Sequence, residues 1–163
     1  MTISLERLGK RYNREWIFRN INRHFDKRSS VAITGPNGSG KSTLLQIIAG
    51  SLLSSEGSVS YISKEAKIPE DQFYRHIAFS APYLDIIEDF TLEEFLKFHF
   101  KFKQLRRGLS LQELPALMQL PGAVKKPVKD FSTGMRQRVK LGMCFYSECD
   151  VLLLDEPTAS VDT

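Results

Sequence analysis

The sequence has little from which staples or metal clusters are built. Its two cysteines, Cys144 and Cys149, lie five apart without CxxC spacing, and its three histidines, His24, His76 and His99, are scattered. That excludes a disulfide framework and gives no expected metal cluster of protein ligands alone. Long apolar runs are missing too. Val151 to Leu154 is typical of the longest, against the ~20 residues needed to cross a bilayer, and Met1 to Tyr12 has no signal-peptide core. The expectation is a cytosolic chain, or one held at a membrane through a partner. Gly 10 and Pro 7 are too few for a low-complexity or collagen-like chain. Charge of one sign is also weak: 23 Lys and Arg against 19 Asp and Glu leave a net +4, with both signs interleaved, so charge alone does not argue for nucleic acid.

What remains is an ordinary globular composition, 42% hydrophobic and 26% charged over 163 residues, read as one domain with one core. Ile3 and Leu5 alternate within a strand from Thr2 to Leu8, and a second strand over Ile21 to Phe25 follows a turn near Asn13, giving an N-terminal antiparallel β element. Ser30 to Thr34 reads as a short apolar strand leading into a glycine loop and a helix from Lys41 to Ala49 that Gly50 ends. Strands are expected over Gly57 to Ile62 and His76 to Ser80. Thr91-x-x-Glu94 and Ser110-x-x-Glu113 fit capping boxes and predict helices over 91–106 and 110–119. Phe95, Phe98 and Phe102 form a stripe on the first, read as core, the alternative being that part of it is a docking surface for a partner. Ser132 to Tyr146 reads as a helix, and Val151 to Leu154 as a parallel strand covered on both faces.

Two segments carry chemistry. Gly35-Pro36-Asn37-Gly38-Ser39-Gly40-Lys41-Ser42 matches GxxxxGK[ST] between an expected strand and helix. Glycines let successive amides turn inward on a phosphate chain, the helix N-terminus adds positive potential, Lys41 neutralises the β- and γ-phosphates and the Ser42 hydroxyl suits Mg²⁺. Asp155-Glu156 follows an apolar strand, on the ligand side of an open α/β sheet. There Asp155 can support Mg²⁺ and Glu156 can polarise a water for attack on a γ-phosphate.

Together with Phe131-Ser132-Thr133-Gly134-Met135-Arg136-Gln137-Arg138 and Leu154-Asp155-Glu156-Pro157-Thr158-Ala159-Ser160-Val161-Asp162, these segments resemble the ATP-binding cassette ATPases over essentially the whole chain. The resemblance implies an α/β P-loop NTPase cassette: a mostly parallel core sheet, the N-terminal antiparallel β element, a small helical subdomain over 85–128 and a signature segment over 129–147. It implies ATP and Mg²⁺ as ligands, the loop from Gly35 to Ser42 with Thr43 as the nucleotide site, Tyr12 as the adenine-stacking aromatic, and Glu156 as the catalytic carboxylate. Ser132 and Gly134 would contact the ATP held by a second cassette, a homodimer, and Asp162 would be the aspartate of the D-loop joining the sites. The implied function is ATP hydrolysis powering transport through a separate integral membrane subunit, at the inner face of the cell membrane, without direct nucleic-acid contact. The alternatives are a soluble cassette ATPase acting on nucleic acid or ribosomes, and a weakly hydrolysing regulatory module.

The sequence departs from that pattern in three places. Pro82 stands where family members carry a glutamine, and has no side-chain acceptor for Mg²⁺ or water. Thr133 replaces the first signature glycine. The chain stops at Thr163, before the strand and histidine that follow the D-loop in the family, so the expectation is a cassette truncated after the D-loop.

Overall fold

The computed structural model describes residues 1–63 and 66–158. The chain forms two compact units, Met1–Tyr74 and Arg75–Thr163.

In the N-terminal unit, β1 (Thr2–Tyr12), β2 (Glu15–Phe25), β3 (Glu56–Ser63) and β4 (Ala66–Lys67) make an antiparallel sheet in the order β2-β1-β3-β4. Strict alternation along β1 would bury Ile3, Leu5 and Arg7. Instead Ile3, Leu5 and Leu8 are buried. A bulge absorbs the extra residue: the register slips between Leu5 and Leu8, and Arg7 takes φ 47° while its N–H donates to Asn22 Oδ1 at 2.9 Å. Gly57 of β3 lies against this bulge at φ 73°, where a Cβ would come within 2.3 Å of the Glu6 carbonyl oxygen. Here only glycine fits. Helix α1 (Lys41–Ile48) buries Ile47 and Ile48, and the Tyr61 hydroxyl of β3 donates to the Ile48 carbonyl at 2.8 Å. Burial raises the Tyr61 pKa, with Glu70 adding to the effect.

The expected strand over 30–34 is corrected. Those residues form no ladder, since no strand of their own unit pairs with them, and Val31 is exposed. An apolar run becomes a strand only where neighbours take up its backbone groups.

In the C-terminal unit, β5 (Ile77–Ser80) and β6 (Val151–Leu154) pair in parallel, Ile77 opposite Val151 through Ser80 opposite Leu154. Helices α2 (Leu92–His99), α3 (Leu114–Leu117) and α4 (Thr133–Tyr146) surround a core of Leu92, Phe95, Leu96, Leu114, Val128 and Val139, among others. The Thr91 capping box forms in full. However, α2 stops at His99 rather than 106. Past it, the chain is drawn into backbone pairing with the end of α4 and the segment that follows: Arg106 N–H donates to the Tyr146 carbonyl and Glu148 N–H to the Gln104 carbonyl, both 2.8 Å. The helix expected over 110–119 is a single turn. Glu113 accepts from both the Ser110 amide (2.8 Å) and hydroxyl (2.7 Å), but Pro115 lies at the helix start and Gln119 closes it at φ 59°.

The phenylalanine stripe is also corrected. Phe95 is core, whereas Phe98 (39% exposed) and Phe102 (57% exposed) stack edge-on outside it, because α2 ends before the stripe completes another turn. Strand β6 is not covered on both faces: Leu152 is exposed, and β5 is the neighbour the strand has among the described residues.

Candidate functional site

The glycine loop of the N-terminal unit has the conformation its glycines predict. Gly38 and Gly40 take φ 79° and 91°, and Gly40 sits so tightly on β2 that a Cβ would lie 2.5 Å from Ile17 Cγ2. Gly40 is the N-cap of α1 and caps no amide with a side chain, and no acidic residue stands in the first turn. The amides that open α1, those of Lys41, Ser42 and Thr43, therefore point their positive end outward with no built-in anion to compete. Gly35, Pro36, Asn37, Gly38 and Ser39 are exposed, and the Ser39 amide donates to the Pro36 carbonyl at 3.3 Å. Lys41 Nζ lies over the loop, donating to the Gly35 and Pro36 carbonyls at 2.9 Å each. Both acceptors are neutral backbone carbonyls. Tyr12, at the end of β1, is 49% exposed, with Lys10 Nζ 5.0 Å from its ring centre. Such an open aromatic face can stack on a planar base.

The C-terminal unit carries the acidic turn and the signature segment. Asp155, at the end of β6, keeps only 5% exposure; its amide donates to the Ser80 carbonyl at 2.9 Å, and its Oδ2 accepts the Tyr83 hydroxyl at 3.1 Å. Glu156 beside it is exposed and takes φ 44°, a left-handed conformation rare outside glycine. One carboxylate is thus enclosed and the other projects. Ser132 is the N-cap of α4, its hydroxyl accepting the Met135 amide at 3.2 Å, and Gly134 lies half-buried in the first turn. Pro82 is exposed and offers only its carbonyl, which accepts Lys140 Nζ at 2.7 Å. Asp162 lies outside the described residues.

Three residues of α4 to which the motif reading gave no individual role hold this half together. Arg136 pairs with Glu88 and donates to the Lys129 carbonyl at 2.9 Å. Gln137, 4% exposed, donates from Nε2 to the Pro157 carbonyl at 3.2 Å. Lys140 holds Pro82. One helix therefore ties the signature segment to the loop after β5 and to the turn after β6. Only the spacing of these long polar side chains within a buried helix could have signalled it.

For Mg²⁺ the test is the donor set. Among the described residues no three His, Cys, Asp or Glu side chains gather. Mg²⁺ needs no such cluster, taking one or two protein oxygens beside phosphate and water. Ser42, a hydroxyl in the first turn of α1 of the N-terminal unit, and Asp155, an enclosed carboxylate of the C-terminal unit, are each an oxygen donor of that kind.

Residues 18–159 match the ABC transporter family. Lantibiotic transport ATP-binding protein SrtF of Streptococcus pyogenes is 32% identical over 165 residues, covering 98% of this chain and 68% of that protein. The uncharacterized ABC transporter ATP-binding protein YcbN of Bacillus subtilis is 28% identical over 155 residues, 95% of this chain and 50% of its own length. The chain thus spans about half the length of that relative. Among solved structures, the dimeric post-hydrolysis state of the ATP-binding cassette MJ0796 bound to ADP and Pi superimposes with a TM-score of 0.81 at 25% identity, over 99% of this chain and 76% of that one. A glycine loop opening α1 with Lys41 over it, a serine capping α4, and an enclosed aspartate followed by an exposed glutamate accompany that likeness, and the chain belongs to the ABC transporter family of ATP-binding cassettes.

Proposed function

We propose that this chain binds and hydrolyses ATP as the nucleotide-binding subunit of a transporter whose membrane-spanning part is a separate chain. The observation that carries the reading is the contrast at the end of β6, an enclosed Asp155 beside an exposed Glu156, in a chain that also holds the Lys41 loop. A buried carboxylate suits a fixed cation-supporting role, and a projecting one suits reaching a water.

In this reading the open amides of α1 and the Lys41 ammonium bind the β- and γ-phosphates, and Tyr12 stacks on the adenine. Ser42 and Asp155 are the residues that would hold Mg²⁺, and the ion would supply Lewis-acid stabilisation of charge on the phosphate oxygens. Glu156 orients and deprotonates the attacking water. Ser132 and Gly134 address the nucleotide of a second cassette, and Asp162 joins the two sites. The dimeric neighbour bound to ADP and Pi supports both the pairing and the hydrolysis, and the relative named for lantibiotic transport supports the coupling to transport. No helix among the described residues is long and apolar enough to cross a membrane. The inner membrane face is reached through the partner, and the exposed Phe98 and Phe102 of the 85–128 segment suit contact with it.

Purification of the tagged chain in mild detergent from the cells that make it tests the assignment. An integral membrane protein should co-purify and raise the ATPase rate; recovery with nucleic acid or ribosomes, and no membrane protein, would overturn it.

A further inference from the structure

The enclosed Asp155 carboxylate meets a phenol that the family pattern does not account for. Tyr83 donates to Asp155 Oδ2 at 3.1 Å. Its own position is fixed by the chain around it. Residues 81–84 form a turn, with Leu84 N–H donating to the Ala81 carbonyl at 3.2 Å, and Pro82 occupies the second place, where its locked φ favours such a turn. That puts Tyr83 third, with its ring edge-on to Phe79 of β5 at 6.4 Å between centres. The turn is held to α4 through Lys140 Nζ on the Pro82 carbonyl. The partner carboxylate is equally constrained, because the Asp155 amide is bonded to Ser80 at the end of the neighbouring strand. Donor and acceptor therefore both sit on backbone fixed by β5, β6 and α4.

We propose that Tyr83 is a positioning residue for Asp155: its hydroxyl holds one carboxylate oxygen and so orients the other to take a divalent cation. Pro82 shapes the turn and Tyr83 supplies the polar group that a proline cannot. The route from α4 to the acidic turn then runs from Lys140 through the Pro82 carbonyl to the Tyr83 phenol and Asp155. A carboxylate freed from such a partner rotates and binds its cation less well, and removal of groups that orient a metal ligand commonly weakens metal affinity or activity by about 10–100-fold. The inference rests on the reading of Asp155 as the cation-supporting carboxylate.

Mn²⁺ is the probe, its binding to the full chain followed by electron paramagnetic resonance with a non-hydrolysable ATP analogue present. Tyr83→Phe keeps the ring against Phe79 and removes only the hydroxyl. Its Mn²⁺ half-saturation should rise about tenfold or more, while binding of the metal-free analogue and the melting temperature stay at the wild-type values. Phe79→Leu, which loosens the ring contact and keeps the phenol, should stay within about twofold of wild type. Mn²⁺ affinity unchanged in Tyr83→Phe overturns the inference, as does a loss in Phe79→Leu that equals it, since packing would then be the cause. A wild-type chain that binds the analogue but shows no nucleotide-dependent Mn²⁺ site overturns the reading of Asp155 and this inference with it. Binding of neither analogue nor cation overturns the nucleotide site itself.

Discussion

Replacing Gly38 and Gly40 by alanine, one at a time, separates two reasons for the glycines of the loop. Both residues are left-handed, at φ 79° and 91°, a conformation that costs an L-residue roughly 1–2 kcal/mol. They differ in space. A Cβ at Gly38 meets nothing within 4 Å, whereas one at Gly40 lies 2.5 Å from Ile17 Cγ2 and 3.1 Å from Phe18 Cδ1. Forcing a methyl into such contacts typically adds about 1–3 kcal/mol. Gly38→Ala should therefore cost about 1–2 kcal/mol and Gly40→Ala about 2–5 kcal/mol. The cost can appear as lost stability, if the loop has the same shape empty and filled, or as lost affinity, if the empty loop relaxes. Urea unfolding at saturating MgATP captures both, because it compares the filled, folded state with the unfolded chain. Trp16, the one tryptophan, lies on β2 next to Ile17 and provides the fluorescence signal. Equal costs at the two positions would refute the steric half of the reasoning, and no cost at either would refute the loop conformation itself.

Further outcomes follow from buried titratable groups of the C-terminal unit. Burial, with Lys103 adding to it, lowers the His99 pKa from 6.5 to about 4. Between those values the unfolded chain takes up a proton that the folded chain refuses, so His99 makes stability fall as pH drops through this window, by about 3 kcal/mol at the limit. Urea midpoints at pH 7 and pH 4.5 should differ more for wild type than for His99→Gln; identical pH dependence would contradict the burial of the ring. Burial also pushes the Cys144 thiol up to about 12 and raises that of Cys149. Iodoacetamide at pH 8 should label Cys149 slowly and Cys144 only on unfolding, as mass spectrometry of the digested chain would show, because the thiolate is the reactive form. Rapid native labelling of Cys144 would contradict its place in the core.

Much of this was legible in the sequence because it depends on local rules. The helix that follows the glycine loop, the Thr91 capping box, and β1, β2, β3, β5 and β6 all rest on short-range patterns, and each formed. What was not legible depends on distant partners. Residues 30–34 have the composition of a strand but no ladder, and the phenylalanine spacing runs on to Phe102, beyond a helix that tertiary pairing of 104–106 with 146–148 cuts short. At the site, the motif residues could be named one by one. Tyr83 and Lys140 could not, nor could the contact that Gln137 makes, because nothing local says that a phenol will meet Asp155 or that α4 will reach two separate turns.

The central claim is that Glu156 acts on water after the Lys41 loop has bound ATP. Phosphate release and ATP binding, measured together on wild type and Glu156→Gln in the presence of the membrane partner, test it most directly. The account predicts that the substitution leaves ATP binding intact and cuts phosphate release by two orders of magnitude or more, roughly the scale of a lost general base. Equal release from the two proteins, at near-background or at full rate, would contradict it.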